Sequence, residues 1–325
     1  MQSVYRAYFR NDEGLIMKKV VKIIGNIIML SALAFIVKKF VDMDIDFSEL
    51  KSTPVISALI ISFVVQTVIV VMGCFPWLMF TRSLSGKKIP FSKAMPVYTK
   101  SNIYKYLPGN VFQYVGRNQL AFDMNISHID VACATVFDIL FCVVSTGIIS
   151  TVLLGSKIEE LIEKYGRNFL IIGMSGTIAV IIVIFILYFK FREKFHQYIL
   201  RYSKAFRGNN LFEVLKGILY YFLQNGISAV MYFFSMKLIF NGTSDDFSLL
   251  VTLTGAFMFA WIIGFITPGA PGGIGIRESV MIFVFGGVHE EIMLFVLVMR
   301  ISSILADIMA FIIGRIYLKM KKADI

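Results

Sequence analysis

The chain has 325 residues, 57% of them hydrophobic and only 16% charged, with a mean hydropathy of +0.76 and a formal net charge of +11. Soluble domains carry about 25% charged residues, and a soluble fold of this length cannot hide so much apolar surface, so the composition excludes a soluble enzyme and requires lipid as solvent. The positive charge does not indicate nucleic acid, because Lys and Arg cluster between the apolar runs, where a bilayer protein places its cytoplasmic loops.

Taken in chain order, residues 1–17 form a polar extension, and Met17, just before Lys18 and Lys19, is a candidate start of the chain. The apolar run that follows is expected to be an uncleaved first membrane helix at 20–37, since no small-residue cleavage site succeeds it. A membrane helix needs about 20 mostly apolar residues. Further runs at 55–80, 126–154, 169–189, 211–240, 249–266 and 292–318 meet that need. Two less simple segments lie at 94–122 and 268–288. The expectation is an all-α polytopic membrane protein, with about seven to eight spans of ~20 residues and two re-entrant or broken segments. One transmembrane domain would cover 18–319, leaving 320–325 as a tail.

The loops give an orientation. Arg82, Lys87, Lys88, Lys93, Lys100 and Lys105 occur without an acid between them, and a second basic cluster runs from Lys190 to Arg207. Lys319, Lys321 and Lys322 close the chain. These stretches should face the cytoplasm, and the acidic loops at Asp42–Glu49 and Asp245–Asp246 should face outward. Both termini are then expected in the cytoplasm of a cell whose inner membrane holds the protein.

That orientation makes both odd segments turn back. The first contains Pro108-Gly109 and the second Pro268-Gly269-Ala270-Pro271-Gly272-Gly273-Ile274-Gly275. Proline removes a backbone donor and glycine weakens helix, so both should be interrupted helices. Such backbone survives at membrane depth only against protein or a wet cavity, and transporters place substrate sites there. Each Pro-Gly is followed by glycine and arginine, Gly116-Arg117 and Gly275-Ile276-Arg277. The two are either an inverted repeat or unrelated kinks.

Charges inside spans cost about 2.5 to 3.5 kcal/mol each. Arg117, Asp138, Arg277, Glu278, Arg300 and Asp307 are such charges and should face the bundle interior. One reading gives the arginines an anionic group, such as a lipid phosphate, which suits guanidinium geometry. Asp138, Glu278 and Asp307 would then balance those charges or carry protons, with Asp138, Arg300 and Asp307 as buried charges that couple transport; the other reading is internal ion pairing alone. Asn110 and Gln113 are candidate cavity residues. Tyr98, Tyr104, Tyr106 and Tyr114 are expected to form an interfacial aromatic belt. Cys74, Cys133 and Cys142 lie in apolar runs and read as packing residues. They and His128, His196 and His289 lack metal-ligand spacing, so neither metal nor other cofactor is expected.

Tyr106-Leu107-Pro108-Gly109, then Gly116-Arg117, and Pro271-Gly272-Gly273-Ile274-Gly275-Ile276-Arg277-Glu278 resemble the lysylphosphatidylglycerol synthase transmembrane-region family. The likeness extends from about Lys18 to Lys319 and implies a flippase-like domain that moves or handles a lipid across the cytoplasmic membrane. The synthase-bearing members flip aminoacylated phosphatidylglycerol. No aminoacyltransferase follows Lys319, so the chain is expected to be a stand-alone member serving a phospholipid, an aminoacylated phospholipid or a lipid-linked saccharide. The motifs carry over Arg117, Arg277 and Glu278, with Pro108, Gly109, Asn110, Gln113, Pro271, Gly272, Gly273 and Gly275 around them, as substrate-binding positions.

The expected partner is a membrane lipid with an anionic headgroup. An envelope glycosyltransferase or aminoacyltransferase, or a second copy of the chain, could associate with it. The rival reading is an intramembrane enzyme or accessory subunit of lipid-linked glycan synthesis, with Glu278 or Asp138 as base. The absence of a recognisable catalytic motif favours the transporter.

Overall fold

The computed structural model describes residues 51–107, 112–155, 157–160, 163, 166, 209–240, 246–267, 273, 275–285, 287 and 289–323. The spans expected at 20–37 and 169–189, and Pro108, Gly109, Asn110, Pro271 and Gly272, lie outside them. The described elements are helical throughout, with α1 at Thr53–Met72, α2 at Cys74–Ser85, α3 at Phe91–Asn102, α4 at Phe112–Ala121 and α5 at His128–Leu154. They continue with α6 at Asn209–Ile239, α7 at Phe247–Ile266, α8 at Ile276–Phe285 and α9 at Glu290–Ala323. The protein is an all-α, multi-pass membrane protein.

Local chemistry explains the boundaries. Proline in the first turn of α1 sacrifices no hydrogen bond, because the first amides of a helix have no partner within it. Pro76, in the first turn of α2, cannot donate back to Met72, so the 33-residue apolar stretch Thr53–Ser85 is divided at Gly73. Gly86 closes α2 in the left-handed conformation (φ 67°) and donates to the Arg82 carbonyl. Ser127 caps α5 by accepting from the Asp130 amide at 3.1 Å, and Asp246 caps α7 by accepting from Ser248 at 2.9 Å.

Each of the expected runs at 55–80, 126–154, 211–240, 249–266 and 292–318 falls on helix. Four stretches are long and apolar enough to cross a bilayer by length and composition: Thr53–Ser85, His128–Leu154, Phe247–Ile266 and Glu290–Met320. Helix α6 has the length too, since 31 residues rise about 45 Å at ~1.5 Å each. The two odd segments behave as their Pro/Gly content requires. Helices α3 and α4, of 12 and 10 residues, pack together across the interruption, and α8, of 10 residues, packs on α7. None reaches the ~30 Å hydrocarbon thickness. Each interruption is followed by a 10-residue helix and then a long one, α4 by α5 and α8 by α9.

Packing divides into two apolar clusters. One joins α1, the later half of α6, α7, α8 and the start of α9, around Phe257, Phe295 and Met299. The other joins α2, α3, the start of α5 and the early half of α6, around Trp77, Leu78 and Phe80. Between helices, small polar groups act as glue, as lipid-solvated bundles require. Ser62 on α1 and Ser235 on α6 share a 2.8 Å hydrogen bond, and Ser150 on α5 donates to the Gly255 carbonyl on α7 at 2.8 Å. Outer faces are apolar: Ile56, Ile60, Val64 and Val68 form an exposed stripe at four-residue spacing on α1. Water would not tolerate that stripe; acyl chains do.

Candidate functional site

A cavity of about 230 Å³ opens where the interrupted segments meet the long helices, with lining residues from α1 and from α3 through α9. Its walls are aromatic and polar. Gln66 comes from α1, Tyr98 and Asn102 from α3, Gln113 and Tyr114 from α4, and Trp261 and Phe265, stacked at 4.9 Å, from α7.

Three of the four cations at this cavity are neutralised. Arg117 on α4 is buried and donates through Nη1 to Asp138 Oδ2 on α5 at 2.8 Å. Its guanidinium also lies over the Tyr98 ring at 4.0 Å, and Asp138 takes a second hydrogen bond from the Tyr221 hydroxyl. Arg300 on α9 is bonded to Glu278 on α8 through both Nε and Nη2, and Nη2 also donates to the Gly273 carbonyl at 2.9 Å. Asp307 has no exposed side-chain surface. It accepts from Lys105 Nζ at 2.6 Å, the Tyr106 hydroxyl at 2.5 Å and Asn102 Nδ2 at 3.0 Å.

The fourth cation is different. Arg277, in the first turn of α8, lines the cavity, and its Nε is buried with no hydrogen-bond partner. Among the described residues no carboxylate pairs with it. Its position follows from glycine: a Cβ on Gly264 of α7 would sit 3.1 Å from Arg277 Cγ and 3.2 Å from Gly273 Cα. Gly273 itself holds φ 71°, a left-handed conformation that favours glycine. Two glycines thus let α8 approach α7 closely enough to place this arginine inside. Gly275 (φ 84°) precedes α8, and Glu278 reaches back to its amide at 3.0 Å, closing the helix start as an N3 acid does.

The structure brings Arg117, Arg277, Gly273, Gln113, Asp138, Arg300 and Asp307 to one cavity. Other residues lie differently. Glu278 and Gly275 do not line the cavity; Glu278 stands behind Arg300 as its counter-ion and orients it. Arg117 lines it but is already satisfied by Asp138. Arg300 and Asp307, about two turns apart on one face of α9, each bond to a partner on another element. The tyrosines are not an interfacial belt. Tyr98, Tyr106 and Tyr114 line the cavity, and Tyr104 is buried against Gly116. Cys74 packs in the apolar core, whereas Cys142 reaches the cavity wall. No group of three His, Cys, Asp or Glu side chains suited to a metal occurs among the described residues.

Sequence reading missed the contribution of α6. Tyr221, Gln224, Asn225, Ser228 and Tyr232 all line the cavity, and Asn225 donates to Ser145 on α5 at 2.7 Å. Their spacing of three, one, three and four residues is a single helical face. A polar stripe in an otherwise apolar span was the available signal.

Fold and site together define a multi-pass helical membrane protein with a charged internal chamber beside interrupted helices. The profile of the lysylphosphatidylglycerol synthase transmembrane region matches residues 22–312, and the chain belongs to that family. No curated protein and no solved structure shows significant similarity to it.

Proposed function

We propose that the protein is a flippase-like transporter of the cytoplasmic membrane, with both termini in the cytoplasm, that passes a lipid headgroup through the central cavity. The observation that carries this reading is Arg277, a cation at the cavity wall with an unpartnered buried Nε. An unsatisfied buried donor is costly, and a charged one more so. An anionic headgroup would satisfy it, and guanidinium matches phosphate geometry. Family membership supports a lipid-handling role. Alternating access would come from one packed cluster rocking against the other around the cavity. Basic residues at the cytoplasmic face, such as Lys87 and Lys88, would concentrate anionic lipid at the entrance.

The test is headgroup translocation in vesicles containing the purified chain. Arg277→Ala should lower the rate by about 10- to 100-fold, the value of a charge-assisted hydrogen bond of ~1.5–3 kcal/mol. Translocation unchanged in a correctly folded variant would remove Arg277 from the pathway and the reading with it.

A further inference from the structure

Charge at the cavity can be counted group by group. The cations are Lys105, Arg117, Arg277 and Arg300, and the carboxylates are Asp138, Asp307 and the Glu278 that pairs with Arg300. Among the described residues, four against three leaves one positive charge, located on Arg277. No carboxylate among the described residues is left free in the cavity to receive an amine, and no second cation is left free for another phosphate.

A second unpartnered group faces the same space. The Gln224 Oε1 on α6 is buried without a donor, and Gln224 lines the cavity. The chamber therefore lacks one anion at Arg277 and one hydrogen-bond donor at Gln224. Resting on the transporter reading, we infer that the site selects a lipid bearing a single phosphodiester charge and a neutral headgroup that donates a hydrogen bond, such as a polyol. The phosphodiester completes the charge of Arg277, and a headgroup hydroxyl completes Gln224. A lysylated headgroup brings cationic amines toward a chamber already net positive. A diphosphate brings charge that the chamber cannot neutralise. Burying either uncompensated charge is unfavourable.

The experiment measures binding to the purified full chain in detergent, using lipids with identical acyl chains. The probes are phosphatidylglycerol, phosphatidylmethanol, lysylphosphatidylglycerol, diacylglycerol diphosphate and uncharged diacylglycerol. Phosphatidylglycerol should bind tightest, with the lysylated lipid and the diphosphate each weaker by about tenfold or more. Phosphatidylmethanol, which keeps the charge and lacks the donor, should fall between. Gln224→Leu should bring phosphatidylglycerol down to the phosphatidylmethanol level without changing the latter. Arg277→Gln should erase the preference for phosphatidylglycerol over uncharged diacylglycerol. If Arg277→Gln weakens binding but the lysylated lipid or the diphosphate binds wild type as tightly as phosphatidylglycerol, the charge count is overturned and the transporter reading stands. If all probes bind alike with and without Arg277, or none binds, both fall.

Discussion

Arg117 and Asp138 are each almost wholly buried, at 2% and 6% exposure, so neither tolerates loss of the other. Removing one partner of a buried pair leaves an uncompensated charge and costs about 3–5 kcal/mol, while replacing both with apolar groups is often neutral. Asp138→Ala should therefore lower the thermal unfolding midpoint in detergent sharply, and the double change Arg117→Leu with Asp138→Leu should recover much of it. An unchanged midpoint for Asp138→Ala would show that the pair does not hold α4 to α5. The sequence marks these residues clearly, because ionisable groups in apolar runs must turn inward. It does not mark their partners. Arg300 and Asp307 share a helical face, yet Glu278 comes from α8 and the Asp307 donors from the stretch Asn102–Tyr106, at sequence separations no local pattern encodes. The same blindness makes an aromatic belt of four tyrosines, three of which in fact line a cavity.

At the scale of elements, α4 and α8 each begin shortly after a Pro/Gly stretch, as that content predicts, whereas Pro96 sits inside α3 without ending it. What glycine does in packing is not legible without the fold. Gly264 and Gly273 lie against each other, where a Cβ on either would meet the other's backbone at 3.1–3.2 Å. Gly264→Val should push α8 and Arg277 out of place. The expected outcome is a folded protein whose translocation falls to the level of Arg277→Ala; wild-type translocation would show that the close approach does not set the arginine. Helix α6 illustrates the opposite case. The run expected at 211–240 falls on one long helix, but its tyrosine, glutamine and asparagine residues draw attention only as a stripe facing a chamber.

For the molecule as a whole, the alternation of basic and acidic loops predicts an orientation, and this is open to a direct check. In a background without native cysteines, Ser244→Cys in the acidic loop should react with a membrane-impermeant maleimide in intact cells. Lys204→Cys in the basic loop should react only after permeabilisation. The reverse pattern would invert the protein in the membrane and place Lys87 and Lys88 on the outer face. Neither loop's charge pattern, however, reveals the cavity, on which eight of the described helices converge.

The most direct measurement is an experimental structure of the protein in a bilayer disc containing phosphatidylglycerol. The account predicts a lipid phosphate in the cavity, within about 3 Å of the Arg277 guanidinium, as charge-assisted hydrogen bonds require. A dry cavity, with Arg277 paired to a carboxylate of the protein and lipid found only on the outer faces, would contradict it.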